Sequence, residues 1–311
     1  MNKKILKMYQ RDSFINTLYK YAKNDKKIIL ISNDQGAIAL DNFKAKIPDQ
    51  FINAGISEQN IIGVAAGLQK EGFNCFVYSI SSFIINRAIE QIKIDLCSMQ
   101  IPVKIFGVGS GYSYAVDGPT HHAVDDIGFL NSMAKIEIFS PSSSLLVKNI
   151  VAHTIKTKYP TYVRLDREFY NPKINFITKK KFRDGFFEVK KGRDYCLVST
   201  GNILENCLIA SSKLSKLNLG IIDLFKVKPI NENFFNKIIK YKKVFVIEEH
   251  FDISGIGSMI SNKVLEKKIN IEVIKIGLKE KFLYGYGSRG LLQVKNCIDA
   301  DTIVKIINKN N

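Results

Sequence analysis

The chain has 311 residues, 46% of them apolar and 11% aromatic, a length that suits two domains and leaves ample material for packed cores. No apolar run is long enough to span a membrane, and residues 1–10 are basic and mixed, which predicts no signal peptide. The net charge of +17 comes mainly from lysines spread along the whole chain, clustered only at 179–181 and 190–191. No helix-turn-helix or aromatic-interleaved RNA motif accompanies them, so nucleic-acid binding is not expected.

In chain order, helix and strand signals alternate. Residues 11–24 put Phe14, Leu18, Tyr21 and Ala22 on one helical face. The run 27–32 (KKIILIS in context) reads as a buried parallel strand. A helix over 57–70 follows, with Ser57 as its cap. Next come a strand at 73–79, a helix over 83–98 and a strand at 103–108. After a glycine-rich loop over 107–119, a helix is expected at 124–133, a strand at 135–139, a helix at 142–157 and a strand at 161–165. Polar, basic residues and Pro172 then break the pattern, which places a linker at about 170–186. A second alternation starts with a strand at 195–200, a helix at 203–217 and a strand at 220–224. It continues through a helix at 231–241, a strand at 244–248, a helix at 255–266, a strand at 271–276 and a closing helix at 299–307. The fold class is therefore α/β, with two open-sheet domains whose parallel strands are covered by helices. Five cysteines, Cys75, Cys97, Cys196, Cys207 and Cys297, lack metal-ligand or disulfide spacing and read as buried, reduced thiols in a cytoplasmic protein.

Three places carry chemistry. At Asn53–Asn60 (NAGISEQN) a strand end meets a helix start, where open parallel sheets bind ligands; alone, Glu58 reads as an acid complementing the helix dipole. Asp117-Gly118-Pro119-Thr120-His121-His122 follows the glycine loop; two adjacent histidines face different sides and suit substrate contacts or acid–base work better than joint metal ligation. Arg164-Leu165-Asp166-Arg167 ends the last strand of the first domain, where arginines suit a phosphate or a salt bridge to Asp166 or Glu168.

Together these segments resemble the C-terminal half of the transketolase family, in order and over almost the whole chain. GISEQN resembles its catalytic-glutamate segment. Ser79-Ile80-Ser81-Ser82-Phe83 followed by Arg87-Ala88-Ile89-Glu90-Gln91-Ile92 resembles its pyrimidine-pocket strand and helix. DGPTHH with Asp125-Asp126-Ile127 resembles its substrate loop. Ser199-Thr200-Gly201, Lys228-Pro229-Ile230 and Glu248-Glu249-His250 resemble landmarks of its C-terminal domain. The resemblance implies a pyrimidine-binding, thiamine diphosphate domain at 1–175 and a transketolase C-terminal domain at 186–311.

By the same resemblance, Glu58 is the carboxyl group that binds the cofactor's pyrimidine nitrogen and promotes its imino form, a role that needs a sheltered site. Phe83 matches the aromatic residue packed on the pyrimidine, and Ile80 stands at a position often aromatic in relatives. Asp117 is matched to a sugar hydroxyl, His121 to the donor ketose, Arg167 to a phosphate, and Arg11 to a second phosphate contact. His122 is a neighbour of the site, and the side of the strand that Arg164 faces is open. The implied reaction moves a two-carbon unit from a ketose to an aldehyde acceptor.

Some features depart from the pattern. The loop Gly107-Val108-Gly109-Ser110-Gly111-Tyr112-Ser113-Tyr114 lacks a histidine found in pentose-phosphate transketolases, with Tyr112 or Tyr114 as replacements, and Ile38 stands where relatives have a phosphate-holding serine. Sugars, phosphorylated or not, or a nucleotide-linked sugar, are the substrates expected. A Gly-Asp-Gly segment for diphosphate and Mg2+ is absent, so no metal ligand is assigned here. Those groups are expected on an N-terminal transketolase subunit, in a heterotetramer with this chain. Rival readings are the beta subunit of a 2-oxo acid dehydrogenase component, which the DGPTH loop disfavours, a deoxyxylulose-phosphate-synthase-like enzyme, and a degenerate regulatory subunit.

Overall fold

The computed structural model describes residues 8–168, 179–284 and 287–310. The first half carries β1 (Ile28–Ser32), β2 (Phe51–Asn53), β3 (Asn74–Ile80), β4 (Lys104–Val108), β5 (Glu137–Phe139) and β6 (Thr161–Leu165). The second carries β7 (Phe186–Lys190), β8 (Tyr195–Ser199), β9 (Leu219–Leu224), β10 (Lys226–Lys228), β11 (Lys243–Phe251) and β12 (Glu272–Leu278). They form a seven-stranded sheet ordered β10-β5-β6-β4-β3-β1-β2 and a five-stranded sheet ordered β12-β11-β8-β9-β7. The expected two α/β domains are present, and each sheet adds an antiparallel edge strand, β10 on β5 and β7 on β9.

Strand β1 shows why apolar runs mark these sheets. Ile29 and Ile31 enter one core while Ile28 and Leu30 enter the core on the opposite face, so a strand covered on both sides has no polar alternation to display. The first of these cores continues into the second domain through Cys196, Val198, Val244 and Val246. Four cysteines are buried as expected, but Cys297 is exposed, because it lies in the turn after helix Arg289–Lys295.

Helix Gln10–Ala22 buries Phe14, Ile15, Leu18 and Ala22. Tyr21, assigned to that face from sequence, is 40% exposed; the buried stripe runs through Ile15 instead. Phe14 stacks on Phe106 of β4, with ring centroids 3.8 Å apart, which fixes the helix that carries Arg11. The single helix expected over 83–98 divides into Ser81–Arg87, Ile89–Gln91 and a π-helical turn, Ile92–Ser98. The break at Ala88 lets the first piece serve the end of β3 while Ile92 and Leu96 remain in the core. Of the expected linker, 169–178 lies outside the described residues, while Lys179–Asp184 is helical. No helix among the described residues is long and apolar enough to cross a membrane.

All three second-domain motifs meet the first domain. The Thr200 hydroxyl donates to the Ser140 carbonyl at 3.2 Å. Lys228 Nζ donates to the carbonyls of Asn131, at 2.7 Å, and Met133. His250 Nε2 accepts the Gly128 N–H at 3.3 Å, and burial pushes this imidazole's pKa down to about 4 despite the neighbouring Asp126.

Candidate active site

Because β1, β2, β3, β4 and β6 are parallel, their carboxyl ends share one edge, the usual ligand-binding edge of an open sheet. The segments bearing the sequence-derived candidates leave from that edge, except for Arg11, which lies in helix Gln10–Ala22 ahead of β1. Between β2 and helix Glu58–Lys70, Gly55 adopts φ +66°, a left-handed conformation that glycine accepts without steric cost. Asn53 Oδ1 accepts the Gly55 N–H at 3.0 Å, and Asn33 Nδ2 donates to the Gly55 carbonyl at 2.8 Å. Ser57 does not cap the helix as expected, because its hydroxyl turns back to the Ala54 carbonyl at 2.6 Å.

This turn delivers Glu58 as the first helical residue, only 5% exposed. Glu58 Oε1 lies 2.9 Å from Arg87 Nη1, and the Arg87 guanidinium lies over the Phe83 ring, 4.2 Å from its centroid. The edge of His121 meets Phe83 with centroids 4.8 Å apart, and His121 Nδ1 is 3.0 Å from Thr120 Oγ1. Tyr114 follows, 5.6 Å from the His121 ring, with the Arg167 guanidinium over its own ring at 4.6 Å. Arg167, Arg11, Tyr114, Tyr9 and Val108 enclose a cavity of about 250 Å3. Glu58, Phe83, His121, Arg167 and Arg11, far apart in sequence, thus form one continuous row.

Other candidates sit differently. Asp117 is exposed at the end of a 3-10 turn, and its side chain makes no hydrogen bond to the described residues. Ile80 is half-buried at the end of β3. Arg11 borders the cavity but is already paired with Asp12, Nε to Oδ1 at 2.8 Å. His122 faces away from His121 and packs edge-on against Tyr112 at 4.9 Å; burial lowers its pKa. Ile38 is 87% exposed. Of the two tyrosines, Tyr114 stands in the row. Burial raises its phenol pKa against the pull of Arg167 and Arg11, which keeps it a neutral hydroxyl donor.

Two family models match the chain: the transketolase pyrimidine-binding domain over residues 7–173 and the transketolase C-terminal domain over 187–303. The chain belongs to the transketolase family. It is 31% identical over 293 residues to one subunit of the apulose-4-phosphate transketolase of Actinobacillus succinogenes, covering 91% of this chain and 92% of that protein. A solved split-gene transketolase, described as an inactive β4 tetramer, aligns with TM-score 0.82 and 26% identity over 97% of both chains. The 1-deoxy-D-xylulose-5-phosphate synthase of Clostridium acetobutylicum is 29% identical, over 95% of this chain and 48% of its own length.

Within this transketolase-family frame, Arg164 turns out to be structural. It is fully buried, with Nε 2.9 Å from Asp126 Oδ2 and Nη2 donating to the carbonyls of Ala123 and Glu249. Neither arginine takes Asp166 or Glu168 as the sequence suggested. Both acids instead meet Arg289 from the second domain, at 2.8 and 3.2 Å, and Glu249 meets the same guanidinium at 2.6 Å. Nothing local marked Arg289, because its acidic partners lie 40 to 123 residues away in sequence. Arg87 was visible only as part of a motif, without a role.

Proposed function

We propose that this chain is the pyrimidine-binding subunit of a two-subunit, thiamine-diphosphate-dependent transketolase, a cytoplasmic enzyme that transfers a two-carbon ketol unit from a ketose to an aldose. The observation that carries this reading is the row from Glu58 through Phe83 and His121 to Arg167. It sets a sheltered carboxyl group, an aromatic face, an imidazole and a cationic cavity roomy enough for a phosphate along one sheet edge. The likeness to a protein named as one subunit of a transketolase, and to a split-gene transketolase, supports a separate partner chain.

The residues fit the cofactor's pyrimidine end. A buried carboxyl group and a half-buried aromatic ring converge on the same point, as a flat, nitrogen-bearing ring requires. When bound, thiamine diphosphate supplies the nucleophilic carbon and electron sink for cleaving a carbon–carbon bond. Glu58 holds a proton at the pyrimidine ring nitrogen, with water excluded by its burial. Phe83 and Ile80 flank the ring. His121, its Nδ1 facing the Thr120 hydroxyl, presents its other ring nitrogen to the donor sugar, and Asp117 takes a sugar hydroxyl. Arg167, with Arg11 across the cavity, binds a substrate phosphate. No group of three or more His, Cys, Asp or Glu side chains among the described residues could hold a metal. Because the sequence carries no Gly-Asp-Gly segment, Mg2+ and the diphosphate are assigned to the N-terminal subunit of a heterotetramer.

Combining the purified chain with a diphosphate-binding partner, Mg2+ and thiamine diphosphate tests this reading against a panel of ketoses. Two-carbon transfer by the mixture alone is expected. The match to deoxyxylulose-phosphate synthase favours a second reading; decarboxylating condensation of pyruvate with an aldehyde, and no ketose turnover, would establish it and overturn the first.

A further inference from the structure

We propose that Arg87 occupies the aminopyrimidine's place in the free chain, so that cofactor binding is an exchange in which the arginine side chain swings out. The inference rests on the proposed placement of the pyrimidine at Glu58 and Phe83. Arg87 makes both contacts that such a ring would make: Nη1 is 2.9 Å from Glu58 Oε1, and the guanidinium covers the Phe83 ring at 4.2 Å. A guanidinium is planar, stacks on aromatic faces and presents N–H donors to a carboxylate. It therefore satisfies the same two partners as a flat aminopyrimidine. His121 also meets Phe83, with centroids 4.8 Å apart, and a base stacking on the face that Arg87 covers would have to displace the arginine.

The partners differ in freedom. Glu58 is anchored at a helix start with its side chain 6% exposed, whereas the Arg87 side chain is 46% exposed. Arg87 can move into water and keep its charge solvated, while Glu58 has no comparable exit. With its arginine half in water, the ion pair is only part-buried, and it and the cation–π contact are each modest, so the exchange lowers pyrimidine affinity by about three- to tenfold without closing the site permanently. In the free chain the arginine also shields the buried carboxylate, which has no other ion-pair partner among the described residues.

The test titrates the full chain with 4-amino-5-hydroxymethyl-2-methylpyrimidine, the pyrimidine half of thiamine, using calorimetry and ligand-observed NMR. R87Q is expected to bind about three- to tenfold tighter than wild type. R87K, which keeps the charge but loses planar stacking, should fall between them and guards against misfolding of R87Q. Added salt should tighten binding to the wild type, by screening the pair, and leave R87Q unchanged. Introducing E58Q or F83L into R87Q should weaken binding. R87Q binding no tighter than wild type, or not at all, while E58Q still weakens wild-type binding would overturn the exchange and leave the pyrimidine placement standing. Binding indifferent to both E58Q and F83L would remove that placement, and the exchange with it.

Discussion

Arg289 Nη1, from the second domain, lies 2.8 Å from Asp166 Oδ2, one residue before the Arg167 that borders the candidate phosphate cavity. The same guanidinium binds Glu249, whose other carboxylate partners include the Tyr112 N–H at 3.0 Å and Gln293 Nε2 at 2.8 Å. Ser110 Oγ donates to Asp166 at 3.0 Å. The second domain thereby holds both the root of the glycine-rich loop and the strand end that carries Arg167.

Replacing Arg289 with methionine leaves buried Asp166 and Glu249 without their cation. A loss of about 3–5 kcal/mol in unfolding free energy is expected, measured by urea denaturation. Arg289→Lys should retain part of it, since lysine keeps the charge without the fork.

The two cavity arginines should not be equivalent. Arg11 already shares its charge with Asp12, whereas Arg167 is held by the Tyr114 ring. Arg167→Gln should therefore raise KM for a phosphorylated sugar by about tenfold or more, and Arg11→Gln by less. Inorganic phosphate should compete with such sugars in the wild type and only weakly in Arg167→Gln. Equal effects of the two substitutions would contradict this division.

His121→Ala should lower kcat/KM for the donor ketose by about tenfold while sparing thiamine diphosphate affinity. Collapse of cofactor binding in this variant would show that the DGPTHH loop had been placed wrongly.

Stability should respond to Asp223. Burial raises its carboxyl pKa from 3.8 to about 7, although the Ser142 hydroxyl bonded to it pulls the other way. A folded-state value above the unfolded one contributes stability that is complete below pH 3.8 and is lost as pH rises through about 7. Asp223→Asn should remove that slope, so its stability relative to wild type should improve from mildly acidic to alkaline pH. Denaturation midpoints at a series of pH values measure it; a difference constant with pH would refute the assignment.

Much of the architecture could be read from the chain because its strands are buried on both faces and its helices show a clear period. Short elements could not. Phe51–Asn53 and Lys226–Lys228 contain three residues each, too few for a period, and they form by pairing with distant strands. The candidate site residues stood out in the sequence through motifs rather than periodicity, whereas their spatial row did not. Contacts such as Phe83 with His121 depend on loops whose paths local sequence does not encode. Arg164 and Arg167 illustrate the limit: two arginines three residues apart have opposite fates, one buried in a structural ion pair with Asp126 and one at a cavity rim.

The role proposed for Glu58 at the cofactor's pyrimidine is decided by Glu58→Gln, assayed with the chain reconstituted with a diphosphate-binding partner. Folding and assembly should remain intact, with nearly all ketol transfer lost. Turnover close to that of the wild type would contradict that role.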